Sequence, residues 1–170
     1  MGKKLWWTLG IILVLILVLA GFYFTQINNV FAQKKNLEKP DVDISLLLSN
    51  PGTQVIFEEH IDYLTNELGV YKLHSYDDEN AVIVFEIVDI DKKIALIKNG
   101  KSHATEDIPD NYDLLIKGEQ LVVAELIDSE NLSENLIKAV EEGKISVELI
   151  SDMTTLGLKG FLAIYDELGA

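Results

Sequence analysis

The chain of 170 residues contains no cysteine. Disulfides, thiol nucleophiles and cysteine-built zinc sites are therefore excluded. It also contains no arginine, since all 14 basic residues are lysine. The planar fork that most often clamps phosphate or carboxylate through two hydrogen bonds is missing. Positive charge of any kind is scarce after the first quarter of the chain. From Asp41 onward, nine lysines stand against 27 acidic residues, a net charge of −18. Such a body repels a phosphate backbone, so no nucleic-acid partner is expected. It also repels an anionic bilayer surface, and the charge serves solubility.

Catalytic signatures are missing too. The sequence has no glycine-rich phosphate loop, no HExxH and no GxSxG. His60, His74 and His103 have no ligand-like spacing. His60 falls on an apolar helix side and is expected to be structural, whereas His74 and His103 lie in polar stretches. Acidic runs such as Glu58-Glu59, Asp77-Asp78-Glu79 and Glu141-Glu142 mark solvated faces in a chain this rich in carboxylates. Asp89 and Asp91 are spaced as in a calcium loop, but the rest of that motif is absent. With no convergent constellation, neither an enzyme nor a metal or other cofactor is expected.

What is present first is oil. Residues 5–24 read LWWTLGIILVLILVLAGFYF without a charge. As a helix they reach about 30 Å at about 1.5 Å per residue, the thickness of a hydrocarbon core. Trp6 and Trp7 stand at one end, Leu13 and Leu17 in the middle, and Phe22, Tyr23 and Phe24 at the other end. Aromatic residues at both ends suit the two membrane interfaces. The run exceeds the 7–15 residues usual in a signal-peptide core, which favours an uncleaved single-pass anchor over residues 1–24. Cleavage after Ala20 or Ala32 is the competing reading. Lys3 and Lys4 flank the start closely, so the positive-inside rule places the domain outside the cytoplasm.

Residues 25–50 mix Asn, Gln and Lys and are expected to be a tether, with Ile44, Leu46, Leu47 and Leu48 docking as a short turn. A domain over 51–170 follows. Asn50 and Pro51 suit the cap and first position of a helix carrying Ile56, Phe57, His60, Ile61, Leu64 and Leu68 at helical spacing, with Gly69 ending it. AVIVFEIVD (81–89) is a strand apolar on both sides, which implies a cover on each face. KKIALIKNG and KSHATED form a hairpin turned by Asn99-Gly100. NYDLLIKG is a further strand. EQLVVAELI and residues 131–142 are helices, KISVELIS is a strand, and Asp152 caps a terminal helix. The order implies an α+β fold: a mostly antiparallel sheet with helices on one face.

From Ala81 onward the chain resembles the sterol carrier protein (non-specific lipid-transfer) domain family. The resemblance is carried by the strand and hairpin AVIVFEIVDIDKKIALIKNGK and by IPDNYDLLIKG with Pro109, Asp110 and Asp113. Two short apolar helices follow, and then GKISVELISD with Gly143, Lys144, Ile145, Val147 and Leu149. A second Gly-Lys usual after the first of the two helices is replaced by IDSEN, and the glycine usual after the last strand by Ser151-Asp152. The resemblance implies five strands, helices on one side and an apolar pocket between them for an acyl chain, sterol or other lipid. The candidate lining is then Val84, Phe85, Leu96, Leu115, Val122, Leu126, Leu136, Leu158, Phe161 and Leu162. Gly157 and Gly160, three apart in the terminal helix, are expected to let that helix approach the sheet or to leave room for ligand.

Two functions are compatible with these features. One is a membrane-anchored domain that binds lipid. The other is a non-enzymatic interaction module with a filled core, meeting a second copy of itself or another envelope protein.

Overall fold

The computed structural model describes residues 34–99, 101–162 and 164. The expected anchor, with Trp6, Trp7, Leu13, Leu17, Phe22 and Tyr23, lies outside the described residues. Among the described residues no helix is long and apolar enough to cross a membrane. In chain order the elements are α1 (Ile44–Ser49), α2 (Glu58–Glu67), a 3-10 turn (Val70–Lys72), β1 (Ala81–Ile87), β2 (Lys92–Asn99), β3 (Lys101–Thr105), β4 (Leu114–Gly118), α3 (Gln120–Asp128), α4 (Leu132–Glu141), β5 (Ile145–Leu149) and α5 (Met153–Leu158).

The five strands form one sheet in the order β3-β2-β1-β4-β5. Every neighbouring pair is antiparallel except β1 and β4, which run parallel. The sheet is therefore α+β and mostly antiparallel, as expected, with one parallel seam at its centre. Period-two alternation assigns the faces. Ile83 stands between Leu96 and Leu114, and Phe85 between Ile94 and Ile116. These side chains join the main core beneath the helices. There α2 packs on β2 and β3, α4 packs on β5, and α3 bridges α1, α2 and α4. Fully burying each such Ile, Leu or Phe contributes about 1.5–3 kcal/mol.

The opposite face is also covered. Val82, Val84, Ala95 and Leu115 are buried there, and Ile97, Ile108 and Tyr112 pack against them. Ile108 and Tyr112 belong to the 106–113 connection, the crossover that a parallel β1–β4 pair requires. The two-sided apolar character of β1 is thus met by helices on one side and by a loop on the other.

Two expectations are corrected at the start of the domain. The stretch 34–43, placed in the tether, carries ordered contacts and belongs with the rest of the domain in one compact unit, Lys34–Ala170, while 44–48 docks on the domain as expected, as a helix rather than a turn. Asp43 caps α1 by accepting from the Leu46 N–H at 2.8 Å, and Leu47 is buried. Asn66 makes a reciprocal amide pair with the backbone of Lys35, at 2.9 Å both ways.

The second correction concerns Asn50 and Pro51, which do not start a helix. Asn50 closes α1, and α2 begins only at Glu58. The reason is tertiary. The buried carboxamide of Gln120 accepts from the Val55 N–H at 2.8 Å and donates to the Thr53 carbonyl at 3.1 Å. That holds the intervening chain extended. Gly69 ends α2 at φ 85°, as its type requires. His60 is structural: its Nδ1 accepts from the Phe57 N–H, so Nε2 carries the proton and donates to the Asp41 carbonyl.

Candidate functional site

Two adjoining grooves open where α3 and α4 leave the sheet. The larger, about 640 Å³, runs over Val88, Gly118, Leu121 and Val122, with Lys117, Glu119 and Lys144 at its edge. The smaller, about 230 Å³, runs between α3 and α4 over Val122, Leu126 and Ala139, edged by Glu125, Lys138, Glu142 and Lys144. Val122, Glu125 and Lys144 belong to both. The floor is apolar because α3 (QLVVAELID) is apolar on more than one side, and only part of it can face the core. Gly118 is close-packed: an added Cβ would meet the Ile145 side chain at 3.3 Å.

Ion pairs line the edge. Lys144 bonds Glu142 at 2.7 Å and Lys117 bonds Glu148 at 2.9 Å. Each hydrogen bond to its carboxylate raises the lysine's pKa, and the Lys144 contact lowers that of Glu142. All four charges are solvated, so the pairs add little to stability and separate easily. The arrangement offers an apolar trough with polar, charge-balanced margins.

The expected lining residues do not converge on one cavity. Val122 and Leu126 line the grooves, and Leu136 packs at the margin of the main core. Phe85, Leu96 and Phe161 are packed within the core itself, each at most 3% exposed. Val84 and Leu115 lie on the other face of the sheet, under the 106–113 loop. Because adjacent strand residues point oppositely, Val84 and Phe85 cannot line the same space. Leu158 and Leu162 are exposed.

The terminal glycines act differently from expectation. Gly160 stands at φ 90°, just beyond the Lys159 cap of α5, and ends that helix rather than thinning it. A Cβ there would sit 3.1 Å from the His74 ring. Gly157 lies against Leu162, whose Cδ1 would be 3.2 Å from an added Cβ. Asp152 caps α5 as expected, accepting from the N–H groups of Thr154 and Thr155.

A polar centre was not legible as such. Asp113, present in the sequence only as a residue before a strand, is 2% exposed and meets the buried Lys159. Its carboxylate also accepts from the Val82 N–H at 2.9 Å and the Ser151 hydroxyl at 2.7 Å. Lys159 further donates to the Asn80 carbonyl at 2.9 Å. A recess of about 220 Å³ with Tyr112 and Pro109 opens beside them. Each charged group has its partners inside the fold, so the cluster holds elements together. Among the described residues no group of three His, Asp or Glu could hold a metal ion.

No protein-family model matches the chain, and no curated protein matches it in sequence. A solved structure titled "UbiJ-SCP2 Ubiquinone synthesis protein" overlaps it with a TM-score of 0.37 and 15% identity, over 73% of this chain and 90% of that one. The inverting sec-alkylsulfatase Pisa1 from a Pseudomonas species overlaps it with a TM-score of 0.33 and 17% identity, over 46% of this chain and 12% of the enzyme. A double mutant of that sulfatase gives a TM-score of 0.35 over 50% of this chain and 13% of its own. These overlaps are slight.

Proposed function

We propose that this protein is a membrane-anchored lipid-binding domain whose apolar ligand lies in the paired grooves between α3, α4 and the sheet. The observation that carries this is the groove between α3 and α4, floored by Val122, Leu126 and Ala139, and its neighbour over Val88, Leu121 and Val122. The larger groove lies within the volume range usual for small-molecule sites. An acyl chain on that floor gains about 25 cal/mol for each Å² removed from water. Its polar end meets the lysines and carboxylates at the edge. The charge-free segment 5–24 holds the domain at a bilayer, on its extracytoplasmic side, and replaces surface charge as the source of proximity.

The test is native mass spectrometry of the full chain in detergent, with displacement of a fluorescent fatty acid. Val122→Trp fills both grooves and is expected to abolish probe uptake while circular dichroism stays unchanged. Unaltered uptake in a folded Val122→Trp protein would remove the grooves from the reading. Failure of both lipid and probe to bind the wild-type chain would remove lipid binding itself. A second reading, an interaction module, is favoured by the packing of Phe85, Leu96, Leu126 and Phe161 into one core of buried side chains. Under it, a partner protein and not a lipid would cover the grooves.

A further inference from the structure

The two edges of the sheet are finished differently. At β3, α2 packs alongside, and the Lys35 ammonium caps the Ser102 carbonyl. At β5, no strand lies beyond it among the described residues. Leu149 and Ile150, at the end of that strand, are exposed at 45% and 50% of full exposure. An open edge with apolar neighbours is a template for strand pairing, which monomeric proteins usually block with a covering element or an inward-pointing charge.

We infer that β5 pairs antiparallel with β5 of a second copy of this chain, about a twofold axis through Ser146. The sequence of the edge selects both the partner and the register. With Ser146 opposite Ser146 of the second copy, Lys144 falls opposite Glu148 on each side of the axis, and Ile145 falls opposite Val147. The cross-strand ion pairs occur twice and lie on the face away from the helices. The β-branched pairs lie on the helix face, continuing the core. Moving the axis to Val147 would set Ser146 opposite Glu148 and lose both ion pairs. Opposite charges and β-branched pairs directly across two strands are each favourable, so the Ser146 register is preferred. The present partners of these charges, Glu142 for Lys144 and Lys117 for Glu148, are solvent-exposed and easily shared. Such an interface is self-complementary and closed, as a cyclic dimer requires.

The absence of native cysteine makes the test free of background. Facing residues of an antiparallel pair lie about 4.5–5.5 Å apart at Cα, within reach of a disulfide. Full-length Ser146→Cys in detergent, under mild oxidation, is expected to become mostly covalent dimer. Ser75→Cys, far along the chain on an exposed turn, is expected to stay monomeric. Adding Glu148→Lys to Ser146→Cys sets like charges across the pair and is expected to remove the crosslink. Adding Lys144→Glu as well restores it by exchanging the signs. A Ser146→Cys protein that crosslinks no more than Ser75→Cys overturns the dimer. A crosslink that Glu148→Lys leaves intact, or that the exchange does not restore, overturns the register. Lys144 and Ser146 border the larger groove, so probe uptake is read on the wild-type chain and crosslinking on the cysteine variants, and loss of lipid binding and loss of the dimer are separately visible.

Discussion

The carboxylate of Asp113 and the ammonium of Lys159 meet at 2.9 Å inside the fold, 46 residues apart in the chain. The pair ties the start of β4 to the last helix. Through Val82 and Ser151, the same carboxylate reaches β1 and the end of β5. Removing one partner strands a buried charge, which costs about 3–5 kcal/mol. Lys159→Met and Asp113→Asn are each expected to destabilise residues 34–170 by that order. The double variant Asp113→Asn with Lys159→Met should lose less than the sum. Urea denaturation of the four proteins measures the coupling, and strict additivity would show that the two groups do not act together.

Gln120 is fully buried and splices the 53–56 segment onto the start of α3. Gln120→Leu leaves the Val55 N–H and the Thr53 carbonyl without partners in the interior. Each orphaned group costs about 1–3 kcal/mol. The expected result is a large fall in the denaturation midpoint. Backbone amide exchange should accelerate at residues 53–57 before it does in the sheet. Protection of those amides at wild-type level would mean that the segment is held by packing alone.

The two glycines of the terminal segment should respond in opposite ways. Gly160→Ala puts a Cβ into a left-handed residue and against the His74 ring, and is expected to destabilise by about 1–2 kcal/mol. Gly157→Ala meets only the end of the Leu162 side chain, which can turn aside. It gains up to about 1 kcal/mol of helix propensity. Thermal melts that ranked Gly157→Ala below Gly160→Ala would contradict this account of the helix end.

Asp62 supplies a pH dependence. Burial raises its pKa above the ordinary 3.8, against the opposing pull of Lys35, an Ala104 backbone hydrogen bond and His103; nearby Glu58 adds to the rise. One carboxylate oxygen is buried with no partner. A raised carboxyl pKa means that the folded state holds its proton more tightly than the unfolded chain does. This contribution to stability therefore grows as the pH falls through the raised value towards 3.8, and is unfavourable at neutral pH. Asp62→Asn is expected to raise the melting temperature at pH 7 and to flatten its pH slope between pH 7 and pH 4. A lower melting temperature at pH 7 would assign Asp62 an ion-pairing role instead.

Much of the fold was legible because it is local. The β-branched run in AVIVFEI and the alternation in ISVEL specify strands, Gly69 specifies a helix end, and Asp152 specifies a helix start, each through steric or hydrogen-bonding rules that act within a few residues. The sidedness of β1 was legible as well, since a strand apolar on both faces must be covered twice. The missing cysteine was legible too, and excludes disulfides and thiol chemistry.

Tertiary structure decided the rest. A carboxamide 65 residues away keeps Val55 out of the helix that Asn50 and Pro51 suggested. The 106–113 loop, crossing the sheet, takes Val84 and Leu115 away from the space that Phe85 faces. Apolar residues that line a groove and apolar residues that fill a core share one chemistry, so Val122 and Phe85 could be told apart only by what covers them. Lys159 is one of 14 lysines in the sequence, and only the fold sets Asp113 against it. The sequence determined which segments become strands and helices, because those preferences are properties of neighbouring residues. The structure alone decided which side chains share a surface, because that depends on where distant segments meet.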